Sequence, residues 1–130
     1  MTRLWMILIL AVGVGGAATS GHHAFASYYL EDQSVSIEGI LEQFEYTNPH
    51  AWIHIAAVDN AGQVQRVSAE WANPNRLRQA GIEKETLKPG DRLIVTGSPS
   101  RHPTEYKIHL KRLERPADGW TWLGRGQQVR

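Results

Sequence analysis

The sequence contains no cysteine. Disulfide frameworks, thiolate zinc sites, iron–sulfur ligation, cysteine nucleophiles and a lipid-modified N-terminal cysteine are excluded. Net charge is nearly absent too, +1 over 130 residues, so nothing draws the chain as a whole toward nucleic acid. No glycine-rich phosphate loop occurs, and Gly97-Ser98-Pro99 is not a nucleophile elbow. The acid pairs Glu31-Asp32 and Glu83/Glu85 read as solvated turn residues, so no catalytic constellation is legible and the chain is read as a non-enzyme. The longest apolar run, Leu4 to Ala18, has fifteen residues including three Gly, too short and too weakly apolar for a comfortable membrane span.

That run nevertheless has a clear meaning. Arg3 precedes it, and the small residues Thr19-Ser20-Gly21 follow it. A charged start, an apolar stretch and a small-residue zone are the layout of a secretory signal peptide. The segment is expected to be helical, and the chain is expected in the periplasm or secreted, touching a membrane only if the signal stays uncleaved. Cleavage after Ala18, Ser20 or Gly21 satisfies the small-residue rule. The expected organisation is a signal peptide over 1–21, an extended segment over 22–33, one β domain over 34–115 and a tail over 116–130.

Charge is segregated along the remainder. From His22 to Gln65 there are six acids and no Lys or Arg, whereas 13 bases and seven acids follow from Arg66 onward. Attraction between two halves of one small domain accounts for this; an acidic face that favours cations is the functional alternative.

Alternation of apolar residues predicts the strands. Val35 to Tyr46 reads as one long strand with a bend or bulge at Gly39. His50 to Val58 and Gln63 to Trp71 form a hairpin about the turn Asp59-Asn60-Ala61-Gly62. Asn73-Pro74 caps a short helix that Gly81 ends, with Leu77 and Ala80 facing inward. Lys88-Pro89-Gly90-Asp91 is a turn before a strand containing Leu93, Val95 and Gly97. Tyr106, Ile108 and Leu110 alternate in the last strand, and the tail after Pro116 shows no usable period. Three strands, a short helix and two strands match a mainly β, five-stranded, partly open barrel of the OB type. Its core is predicted to hold Ile37, Leu41, Ile53, Ile55, Val67, Leu93, Val95, Ile108 and Leu110.

Histidine carries the chemical signal. His50 and His54 share one strand face with Trp52, opposite Ile53 and Ile55, and are expected to be exposed. His22-His23 would open the processed chain. A start at His22 offers an amine and an imidazole to one metal, and a third nitrogen from another histidine completes a brace suited to Cu(II). A start at Gly21 instead allows a square-planar Cu(II) or Ni(II) site from the amine, two amides and His23. The candidate metal residues are therefore His22, His23, His50 and His54. The plain alternative is that the first pair is a polar start and the second pair bonds to strand neighbours. A ligand face built on Trp52, His50 and Asn48 is the other functional possibility, taking an exported protein or a glycan without metal.

Three stretches carry a family resemblance. They are His22-His23-Ala24-Phe25, Tyr46-Thr47-Asn48-Pro49-His50-Ala51-Trp52-Ile53, and Leu87-Lys88-Pro89-Gly90-Asp91 with Gly97. Together they resemble a family of small exported bacterial proteins known only as domain of unknown function 6152, over roughly residues 22–115. This sequence has Ala24 where that family usually shows Ser and Gly21 where it usually shows Ala. The resemblance implies export and a small β-rich domain, and supplies no activity.

Overall fold

A computed structural model describes residues 21–125, with side chains from Ala24 onward. The signal peptide expected over 1–21, all but its last residue, and the last five residues of the tail lie outside the described residues. The expected elements are present in order: β1 (Val35–Glu45), β2 (Trp52–Val58), β3 (Val64–Glu70), a short helix (Pro74–Gln79), β4 (Arg92–Pro99) and β5 (Lys107–Arg115). Two elements are additional, a helix α1 (Gly21–Tyr28) and a strand β6 (Trp120–Leu123); the short helix is α2.

The sheet order is β3-β2-β1-β4-β5-β6, with a further parallel pairing of β3 with β5. Ser68–Glu70 lie beside Lys107–His109 in that pairing, and this contact closes a five-stranded barrel. The mainly β, OB-like fold is thus the one the alternation predicts. β1 is the shared strand: Val35 to Ile40 pair with β4, and Ile40 to Glu45 pair with β2. The irregularity expected at Gly39 falls between Leu41 and Gln43. Gly39 serves close approach instead, because a Cβ there would lie 2.6 Å from the Ala56 carbonyl oxygen.

Eight of the nine predicted core residues are buried. Ile37 is only partly buried, because the barrel is open at its end. α2 covers the opposite end. Asn73 Oδ1 accepts from the Arg76 amide at 2.9 Å, Pro74 occupies the first turn, and the chain leaves the helix through Gly81 at φ +77°. Leu77, Ile82 and Leu87 join the core there, while Ala80, expected inward, is exposed because the last turn faces solvent. The Tyr46 hydroxyl ties α2 to the end of β1 by donating to the carbonyls of Pro74 and Ile82 at 3.1 and 2.8 Å.

Two segments differ from their expected form. The segment 22–33, expected to be extended, is helical up to Tyr28: Ala24 and Ala26 favour a helix, and Phe25 and Tyr29, one turn apart, anchor it to the barrel. The tail was expected to be irregular, yet Trp120–Leu123 pairs with Arg112–Arg115, the part of the β5 edge that β3 leaves free. The Trp71 and Trp122 rings meet edge to face with centroids 5.0 Å apart, and the Arg115 guanidinium lies over Trp120 at 5.5 Å. The charge segregation resolves as attraction between the halves: Glu31, Glu38 and Glu42 pair with Lys111, Arg92 and Arg66.

Candidate functional site

Outward-facing residues of β2, β3 and β5 form one surface. Register places Trp52 opposite Glu70 and Glu70 beside His109, and alternation puts His54, Ser68, Lys107 and Lys111 on the same side. His50, two residues before Trp52, continues the β2 row. The segment from Phe25 to Glu31 lies across this surface. It is fastened by an isolated bridge from Tyr29 to Ser100, by Leu30 N–H to the Pro99 carbonyl at 2.9 Å, and by Arg101 Nε to the Ala26 carbonyl at 2.7 Å.

Two glutamates organise the cluster beneath that segment. Glu70 takes His50 Nδ1 on one oxygen and the Tyr29 hydroxyl on the other, each at 2.6 Å. Glu31 takes His109 Nδ1 at 2.8 Å and Lys111 Nζ at 2.6 Å. The Phe25 ring joins the two halves: it stacks on His109 at 3.9 Å and on His50 at 5.4 Å. An ionised carboxylate only accepts hydrogen bonds, so each histidine presents Nδ1–H to its glutamate, and Nε2 is the nitrogen that offers a lone pair in the neutral imidazole. Neither Nε2 has a hydrogen-bond partner among the described residues.

Electrostatics shift three groups of this arrangement. Burial pushes the His109 imidazole below its ordinary value; Glu31 opposes that and Lys111 reinforces it. Burial alone would raise Glu31, but the hydrogen bonds from Lys111 and His109 prevail and hold its carboxyl below the usual range. Burial, and then the bond to Glu70, push the Tyr29 phenol far above its ordinary value, so it remains a donor.

The predicted site residues separate. His50 is in the cluster, with 36% of its side chain exposed. His54 is not: its Nδ1 meets Ser68 Oγ at 2.8 Å, its Nε2 meets Glu45 at 3.0 Å, and only 12% of the side chain is exposed. The expectation of a fully exposed His50-Trp52-His54 face is therefore corrected, because β1, β3 and the segment after α1 flank it. Trp52 is half-buried, lies parallel to His54 at 6.4 Å, and borders a cleft of about 250 Å³ with Tyr28, Glu70, Ser100, Glu105 and Lys107. Asn48 is exposed in the β1–β2 connection, where the Asn48–Pro49 peptide is cis. His22 and His23 enter α1 by their backbone; their side chains lie outside the described residues. Among the described residues no three His, Asp or Glu side chains converge on one metal position.

Sequence reasoning missed Glu70, Glu31, Phe25, Tyr29 and His109 as one group. Phe25, Tyr29 and Glu31 come from one segment and Glu70 and His109 from two strands far along the chain, and only the β3–β5 pairing and the path of that segment bring them together. A family model, described as a family of unknown function (DUF6152), matches residues 10–108. The chain belongs to DUF6152. The matched region runs from the apolar N-terminal stretch through four barrel strands and ends inside β5, so it includes Phe25, His50 and Glu70. The family description carries no activity. No curated protein matches the chain.

Proposed function

We propose that this DUF6152 chain is an exported, non-enzymatic binding domain that takes a Cu(II)-class metal ion through its processed amino terminus and His50. The observation that carries the reading is the Glu70–His50 pair packed on Phe25. A carboxylate on the far nitrogen of an imidazole fixes the tautomer and ring orientation that a metal needs, and raises the basicity of the free nitrogen. Residues three apart on a helix share a face, and His22 stands three residues before Phe25 in the sequence. Cleavage before His22 would free an amine and a histidine three residues before Phe25, whose ring stacks on His50 at 5.4 Å. Those two nitrogens with His50 Nε2 make three of the positions that tetragonal Cu(II) prefers. His109, held by Glu31 in the same way, is a second source of an imidazole. His54 has no place in the set, because both of its nitrogens are engaged.

Cleavage before Gly21 gives the competing geometry, a backbone site completed by His23 and independent of His50. Intact mass of the exported protein, with and without Cu(II), fixes both the first residue and the stoichiometry. The brace predicts one Cu(II) per chain, lost in His22→Ala, weakened in His50→Ala and retained in His54→Ala. Dependence on His23 with indifference to His50 points to the backbone site. A chain that keeps its first twenty-one residues, or wild-type affinity no better than that of a His22→Ala/His23→Ala/His50→Ala triple variant, ends the reading.

The cleft beside Trp52 favours a second reading, a metal-free module for an exported protein or glycan. Tyr28 and Trp52 offer stacking surfaces next to Glu70 and Glu105. That reading requires ligand binding that survives chelation and is lost in Trp52→Ala.

A further inference from the structure

We infer that the open end of the barrel is a separate binding site for a small apolar molecule that carries no negative charge. The inference is independent of the metal reading. α2 covers one end of the barrel with Leu77, Ile82 and Leu87, but no element covers the other among the described residues. There the starts of β1, β3 and β5 and the ends of β2 and β4 surround a cavity of about 590 Å³. That volume falls in the range of small-molecule sites.

Its lining is what a packed core would bury. Val35, Ile37, Ala57, Val67 and Ile108 face into it. Ile37 pairs with Val95 in register, as a core residue should, yet stays only partly buried because nothing fills the space above it. Large apolar side chains also stand free at the same end. Val58 and its cross-strand partner Val64 are each 69% exposed, and Tyr106 on the rim is 46% exposed. Such a gathering is unusual for a surface with no ligand.

Charge narrows the ligand class. Glu38, Asp59 and Glu105 line the cavity, against one ammonium, Lys107, and one imidazole, His102. Arg92 pairs with Glu38 at 2.6 Å, and Lys107 lies 3.7 Å from Glu105. Asp59 has no cationic partner among the described residues. Its oxygens accept from the amides of Ala61 and Gln63 and from the Gln65 side chain, all within 3.0 Å. The bonds from Gln63 and Gln65 hold its carboxyl below the ordinary range, so it remains charged. A fatty acid or another anionic amphiphile would meet this carboxylate at the rim; an uncharged or cationic apolar molecule would not.

The test is fluorescence titration with N-phenyl-1-naphthylamine, an uncharged apolar probe, in the presence of a chelator so that metal plays no part. Saturable binding of one probe per chain is expected. The anionic probe 8-anilinonaphthalene-1-sulfonate should bind about tenfold more weakly or worse, and Val35→Trp, which fills the mouth, should weaken the uncharged probe by about tenfold or more. If Val35→Trp does not fold, methyl resonances of the unmodified protein decide: the uncharged probe should shift those of Val35, Val58 and Ile108. No saturable binding, equal affinity for the anionic probe, an unaffected and folded Val35→Trp variant, or shifts confined to residues away from the mouth would overturn the inference.

Discussion

Replacing Glu70 with Ala removes a carboxylate that two groups share, and its cost can be worked from the structure. Tyr29 is 3% exposed, so its hydroxyl has little access to replacement water once Glu70 is gone. A buried donor left without a partner costs about 1–3 kcal/mol, and a hydrogen bond to a charged group contributes about 1.5–3 kcal/mol. These figures describe the same bond from two sides and are not summed. His50 is more open and recovers much of its loss from water. A destabilisation of about 2–3 kcal/mol is therefore expected for Glu70→Ala. Tyr29→Phe removes the donor but leaves Glu70 bonded to His50, so it should cost less, about 1 kcal/mol. The two losses should not add, with a coupling of about 1–2 kcal/mol in a double-mutant cycle. Urea unfolding of the four proteins is the assay, and a shift in midpoint at constant slope shows that stability alone has changed. A Glu70→Ala protein within about 0.5 kcal/mol of the parent, or strictly additive losses, would refute the claim that Glu70 fastens the segment after α1 to the barrel.

Three further outcomes follow from the same contacts. Ile55→Ala, at a position 1% exposed, should cost about 2–4 kcal/mol in the same unfolding assay; a loss near zero would mean that the wrong face of β2 fills the core. Gly97→Ala should disrupt the β4–β5 pairing, because a Cβ there runs into the His109 carbonyl; amide exchange in β5 should rise well above that in β2. Stability should also fall in acid in two stages. His109 has a lowered value in the folded chain, so as pH drops below the ordinary histidine value of about 6.5 the unfolded chain takes up the proton first and stability declines. Glu31, also lowered, adds a second loss as pH passes down through the carboxylate range. Unfolding measured against pH should lose the first stage in His109→Gln, although Lys111, Glu70 and Tyr29 still face that position.

Much of the barrel was legible because its signal is local. Ile53, Ile55 and Ala57 alternate against polar neighbours, and the Asp59–Gly62 and Asn73-Pro74 signals mark a turn and a helix start by residue type alone. Three features were not legible, for distinct physical reasons. Trp120–Leu123 is too short to show a period and becomes a strand only because β5 outruns β3. Ile37 alternates like any core residue, and nothing along the chain says that its end of the barrel is open. The cluster around Phe25 depends on register: Glu70 reaches His50 across twenty residues and Glu31 reaches His109 across seventy-eight. Histidine spacing suggested that His50 and His54 were equivalent. Cross-strand partners separate them, because Ser68 and Glu45 occupy both nitrogens of His54 and Glu70 occupies one nitrogen of His50.

Electron spin resonance of Cu(II) bound to the exported protein tests the central claim most directly, with the parent and His50→Ala measured side by side. The account predicts a tetragonal spectrum with nitrogen ligation in the parent, and in His50→Ala the loss of one nitrogen together with an affinity about 10–100-fold lower. Identical spectra and affinities for the two proteins would contradict it.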